Sequence, residues 1–254
     1  MNRVGYGATL CAAVVALYGC GGGDDGGSPP TASVPQALAA QGIYGGTTSA
    51  GSQISGLVLE TGEYYVFYAN GNILNGVLHG NLSCSGATCT STGKDYSLVT
   101  RSITTASVSS TYTEKTSLSG SVTENGNTVN FSATYDNTYD TPISVATLAG
   151  QYSGTSAAGT GTSFVSLTVN SNGTFSGSSP GTNGVCSFSG AMSQRASGKN
   201  VMNLTVTFNG SACALGTATV AGYAVPVVSN GHIRLYTAGL LADQSDGFIA
   251  ITEK

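Results

Sequence analysis

Two-residue turn signals punctuate this chain at short intervals: Thr61-Gly62, Asn70-Gly71, Asn125-Gly126, Asn172-Gly173, Asn209-Gly210 and Asn230-Gly231. An Asn-Gly pair supplies the positive-φ residues that a tight hairpin needs. The stretches between such pairs alternate. Met202, Leu204, Val206 and Phe208 interleave with Val201, Asn203, Thr205 and Thr207, and Val165, Leu167 and Val169 flank Ser166 and Thr168. That period of two is the mark of a half-buried strand. In the C-terminal half it predicts eight strands, near 151–156, 163–169, 174–178, 185–193, 201–208, 217–225, 232–238 and 247–252. Eight antiparallel strands in a meander close into a small barrel, which removes exposed edges. Helical signals are short: two turns over residues 34–41, with Pro35 near the start, and a counterpart over 144–149.

Composition narrows the partners. Of 254 residues, 37 are Gly, only 8% are charged, and the net charge is −4. Such a chain cannot neutralise a phosphate backbone, which excludes nucleic acid as a partner. At 40% hydrophobic it is not disordered through charge. Two His and no Trp leave few parts for acid–base chemistry.

The strand-rich part reads as two copies of one unit. Gly42-Ile43-Tyr44-Gly45-Gly46-Thr47 matches Gly150-Gln151-Tyr152-Ser153-Gly154-Thr155 at four of six positions, and Asn70-Gly71 precedes Cys84 by the same distance as Asn172-Gly173 precedes Cys186. The expectation is an all-β chain of two tandem antiparallel β-barrels of about eight strands each, or barrel-like sandwiches, over 34–143 and 144–254.

The start of the chain is of another kind. Met1-Asn2-Arg3 carries one positive charge, residues 4–17 are almost free of polar side chains, and Leu17-Tyr18-Gly19-Cys20 leads into a Gly-rich acidic stretch. This is a secretory signal too short to span a bilayer. Leu17-Tyr18-Gly19-Cys20 resembles the lipobox of bacterial lipoproteins. The resemblance implies a signal peptide over 1–19, cleavage before Cys20, palmitate-type lipid on Cys20, and membrane attachment by more than one acyl chain. Gly21, in place of an inner-membrane retention Asp, implies the outer membrane, facing either the periplasm or the outside. Residues 20–33 read as the lipidated Cys and a flexible tether with a reach of roughly 20 Å. An integral membrane barrel is not expected, since it needs aromatic girdles and Trp is absent.

Cys11 leaves with the signal and Cys20 carries lipid, so Cys84, Cys89, Cys186 and Cys213 remain. An even remainder in an exported chain reads as disulfides. Of three pairings, Cys84–Cys89 with Cys186–Cys213 is preferred because it keeps one bridge in each unit. A metal site from His79, Cys84 and Cys89 lacks a fourth ligand. No metal or cofactor is therefore expected.

Few motifs point to chemistry. Gly177-Ser178-Ser179-Pro180-Gly181 fits G-x-S-x-G, but Pro180 and Gly181 lead into more β structure, where a nucleophile elbow needs a helix. His79 and His232 are the only bases available to Ser179. Asp136 with Asp140, and Asp243 with Asp246, lack the alternating oxygen spacing of a calcium loop and read as turns. Tyr64, Tyr65, Val66, Phe67 and Tyr68 make a strand apolar on both faces, so one face fills a core and the other meets the second unit or a partner. Tyr64, Tyr65, Phe67, Tyr68, His232, Arg234 and Tyr236 are the candidate binding surface.

The whole pattern resembles the uncharacterised Gly/Ser/Thr-rich lipoproteins common in proteobacteria. It is more weakly similar to surface lipoproteins with paired eight-stranded barrels, of the transferrin-binding and factor H-binding types. The function expected is a non-enzymatic binding or structural role in the cell envelope, with a protein partner or a small ligand. The alternatives are a lipocalin-like carrier of a small hydrophobic ligand and, more remotely, a serine hydrolase.

Overall fold

The computed structural model describes residues 37–71, 73–158, 161–181 and 183–254. Residues 37–254 form one contact unit, and 17 strands are assigned in it. The lipobox, Cys20 and the tether lie outside the described residues.

The first barrel runs through β1 (Gly42–Thr48), β2 (Gln53–Val58), β3 (Glu63–Asn70), β4 (Ile73–Asn81), β5 (Ser83–Ser85), β6 (Thr88–Ser97), β7 (Ser102–Thr113), β8 (Ser117–Glu124) and β9 (Asn127–Asp136). All neighbours are antiparallel. β1 pairs with both β2 and β9, and the β4–β6 pairing closes the ring. β5 is an excursion that folds back on β6 between them.

The second barrel is an uninterrupted meander: β10 (Gly150–Ala158), β11 (Gly161–Val169), β12 (Thr174–Gly181), β13 (Gly184–Gln194), β14 (Met202–Phe208), β15 (Thr219–Ser229), β16 (His232–Leu240) and β17 (Gly247–Glu253), closed by β10–β17. All eight strands read from the alternation are present, most of them longer by one to three residues. The helices are not as expected. Residues 144–149 shrink to a single 3-10 turn, Val145–Leu148, capped by the Ser144 hydroxyl. Of 34–41, the described part holds only a turn at residues 39–40, and Leu38 N donates to Glu60 O, in the connection between β2 and β3, at 2.9 Å.

Both barrels are apolar inside, with Ser and Thr dominating outside. Along β7, Ala106, Val108 and Ser110 are buried while Ser107, Ser109 and Thr111 are exposed. A membrane-spanning barrel has the reverse polarity.

Glycine makes room for the interior aromatics. Tyr64 stands opposite Gly80 and Tyr68 opposite Gly76. In the second barrel Phe175 faces Gly190, Phe188 faces Gly177 and Phe248 faces Gly239. A Cβ at Gly80 would stand 2.5 Å from the Tyr64 hydroxyl, and one at Gly177 would stand 2.6 Å from the Phe188 ring. The large ring covers the glycine backbone across the strand pair, a known device for stabilising glycine in sheets.

The same local contacts recur. Tyr44 Oη donates to Ala40 O at 2.9 Å, and Tyr152 Oη donates to Leu148 O at 2.8 Å. A side chain at Gly46 would strike the Ser132 carbonyl, and one at Gly154 the Ile251 carbonyl. The turn correspondence drawn from cysteine spacing is corrected. Gly173 O accepts from Met192 N at 2.9 Å, and it is Gly62 O that accepts in the same way from Leu82 N, at 2.9 Å. Thr61-Gly62 is thus the counterpart of Asn172-Gly173, and Asn70-Gly71 belongs to the next hairpin. The excursion at β5 displaced the cysteine used for alignment.

The outer face of β2–β4 packs on the outer face of β15–β17. Tyr65, Phe67 and Val77 share one buried cluster with Ala238 and Ile249, and Leu57 shares another with Val225. Edge-on ring pairs join Tyr65 to Tyr223 at 5.8 Å and Phe67 to Tyr236 at 6.0 Å. Arg195 grips Glu60 through Nε and an Nη at 2.8–3.0 Å. Lys94 Nζ and Tyr96 Oη both donate to Gln244 O at 3.0 Å.

Candidate functional site: two barrel cavities

Each barrel is hollow. The second holds a cavity of about 390 Å³ walled by side chains such as Phe175, Phe188, Leu204, Val206, Phe208 and Phe248. Among the described residues, none that lines it is charged. The first holds about 340 Å³, walled by residues including Tyr44, Val58, Tyr64, Val66, Leu118 and Phe131, but two carboxylates, Asp95 and Glu124, also line it. Both volumes fall in the range that takes a small molecule.

Asp95 sits on β6 and is 9% exposed. Tyr68 Oη donates to its Oδ2 at 2.9 Å, while Oδ1 is buried with no protein partner. Burial pushes its pKa up to about 6, against the pull of the Tyr68 hydrogen bond, and Glu124 adds to the rise. Glu124 is half-buried at the end of β8, and desolvation raises it too. Asp95 and Glu124 lie toward the end of the barrel formed by the β1–β2, β3–β4, β6–β7 and β8–β9 turns. Ile73 and Val99 protrude at that end, 70% and 69% exposed. Deeper along β7, the Ser110 hydroxyl is also buried without a partner.

The candidate surface residues separate. Tyr64, Tyr65 and Phe67 are 3%, 4% and 8% exposed, so they offer no free surface. Tyr64 and Tyr68 point into the first cavity. Tyr65, Phe67 and Tyr236 are wedged between the barrels. Only His232 and Arg234 face solvent, where both contact Glu253, at 3.6 Å and 2.6 Å. The alternation along β16 is as read: Ile233 and Leu235 point into the second core.

A polar cluster fills the seam. Glu63 Oε1 accepts from Tyr65 Oη at 3.1 Å and lies 3.2 Å from His79 Nε2, while Oε2 accepts from Tyr223 Oη at 2.9 Å. Burial raises the Glu63 carboxyl, but hydrogen bonding with His79 and Tyr223 outweighs it and holds the group below its usual range. Arg195 lies 5.0 Å over the Tyr223 ring. Every member thus has a partner inside the fold.

Cys84 joins Cys89, and Cys186 joins Cys213. With both sulfurs in a bridge, His79, Cys84 and Cys89 offer no thiolate to a metal, and no group of metal-binding side chains occurs among the described residues. Ser179 lies within β12, two residues from its end, and lines the second cavity. His232 opens β16 at the opposite end of the same barrel, and His79 belongs to the other barrel. A Ser–His pair is therefore not assembled. Asp136 caps the 3-10 turn Asn137–Asp140, and Asp140 takes Lys115, Lys199 and Tyr135. Asp243 closes its own turn on Ser245.

No protein-family model matches the chain, and no curated protein matches it. Among solved structures it is similar to a provisionally designated outer membrane protein of Bacteroides fragilis, at 12% identity over 84% of this chain and 94% of that one, TM-score 0.25. It is also similar to two mutant forms of the vaccine antigen transferrin binding protein B of Haemophilus parasuis, each at 8% identity over 80% of this chain, with TM-scores of 0.27 and 0.30. The match spans 65% of that antigen chain. Likeness at these scores is too weak to carry function across, and the fold stands on the strand pairing itself.

Proposed function

We propose that this chain is a lipid-anchored protein of the bacterial cell envelope, held at the outer membrane through Cys20, whose barrels bind small hydrophobic molecules. The pair of cavities carries the binding part of this reading. Interiors of small barrels are ordinarily filled by their own side chains, and protein cores leave few voids larger than a water molecule. Here two barrels each keep several hundred Å³ of mostly apolar space. This favours the carrier among the alternatives. The aromatic strand at 64–68, the other candidate for a binding face, is consumed by the core and the seam. The anchor rests on Leu17-Tyr18-Gly19-Cys20.

Native mass spectrometry of protein extracted from its own membrane tests the carrier. A retained small molecule, released on denaturation, is the expected result. A bare chain that also fails to take up an aliphatic alcohol would refute it. Labelled palmitate tests the anchor separately: incorporation should vanish in Cys20→Ala.

A further inference from the structure

We propose that the first barrel selects an amphipathic cation, a long-chain amine or its alkylated ammonium, with its tail in the apolar interior and its head against Asp95. The inference rests on the carrier reading above and adds the charge of the guest.

The geometry carries it. Asp95 is nine-tenths buried, Tyr68 satisfies one carboxylate oxygen, and the other has no partner. Among the described residues, no Lys, Arg or His lines the cavity to neutralise it. The second carboxylate, Glu124, lines the same space and adds charge of the same sign. A buried carboxylate without a counter-ion is costly unless something pairs with it. Beyond these acids the lining is mostly aliphatic and aromatic, with Thr48, Ser52 and Ser110 as the hydroxyl exceptions, which suits a hydrocarbon chain. At neutral pH the carboxyl is mostly ionised, since burial has raised it only to about 6. The second cavity has no charged lining residue and serves as the internal control.

The test is calorimetric titration of the full chain at neutral pH with dodecylamine, dodecanol and dodecanoate. It is run on the unaltered chain, on Ala250→Phe to fill the second cavity, and on Asp95→Asn. The first barrel should take the amine about 10- to 100-fold more tightly than the alcohol and should reject the carboxylate. In Asp95→Asn the preference for the amine should disappear while alcohol binding persists. Equal affinity for amine and alcohol, tight binding of dodecanoate in the first barrel, or a preference that survives Asp95→Asn would overturn the inference and leave the carrier reading standing. Failure of all three probes to bind the unaltered chain would remove both. The dodecanoate comparison is read on Ala250→Phe, which leaves Asp95 in place, so it decides even if Asp95→Asn does not fold.

Discussion

The two barrels share their walls and differ in their contents. Each has eight closing strands, each sets a tyrosine from its first strand against a carbonyl four residues earlier, and each lets aromatic rings lie over glycine. The space inside is similar, about 340 and 390 Å³. Yet one interior carries Asp95 and Glu124, and the other carries no charge among its described residues. The covalent staples differ as well. Cys84–Cys89 spans five residues and closes the small β5–β6 hairpin, whereas Cys186–Cys213 spans 27 and ties β13 to the long β14–β15 connection. The difference teaches that backbone closure and interior chemistry are set by separate residues. Glycine–aromatic pairs build the shell. A few inward positions on β6 and β8 decide what it can hold.

The sharpest test of the shared wall uses its two equivalent glycines. Gly46→Ala and Gly154→Ala each push a Cβ into a backbone carbonyl of the last strand of its barrel, β9 or β17. Backbone cannot rotate away as a side chain can, so each should cost about 3 kcal/mol or more. Thermal melts should show losses of the same size. A large loss at one site and none at the other would break the equivalence.

The staples should separate the barrels next. By loop-closure entropy, removing Cys186–Cys213 should cost about 3–4 kcal/mol, and removing Cys84–Cys89 about 2 kcal/mol. Paired Cys→Ser variants in urea unfolding give both values. If the short bridge matters more, β5 is a structural keystone and not an excursion.

Asp95 sharpens the difference in contents. Its carboxyl is raised in the fold, so its contribution to stability is fully present below the unfolded value near ~3.9 and is lost as pH rises through about 6. Asp95→Asn should therefore stabilise the empty protein at neutral pH by about 1–3 kcal/mol. The gain over the unaltered chain should shrink toward pH ~4. An unchanged melt at both pH values would mean that the carboxyl is not desolvated.

The second barrel was legible because Met202, Leu204, Val206 and Phe208 alternate with polar residues and the turns carry Asn-Gly. The doubly apolar strand at 64–68 was legible too, since side chains that cannot all face one core must meet another. Asp95 was not. The inward face of β6 is Cys89, Ser91, Gly93 and Asp95, with no apolar alternation to reveal which side is inside. The partners in the seam were hidden for a different reason. Glu60 and Arg195, or Glu63 and Tyr223, are more than 130 residues apart, and nothing local joins them.

The connection over residues 209–218 supplies Ala212 and Ala214 to the roof of the second chamber, and Cys213 stitches it down between them. A flap sewn at its midpoint cannot swing on either hinge. Cutting that thread with a reductant should loosen the ceiling while leaving the walls of the barrel paired.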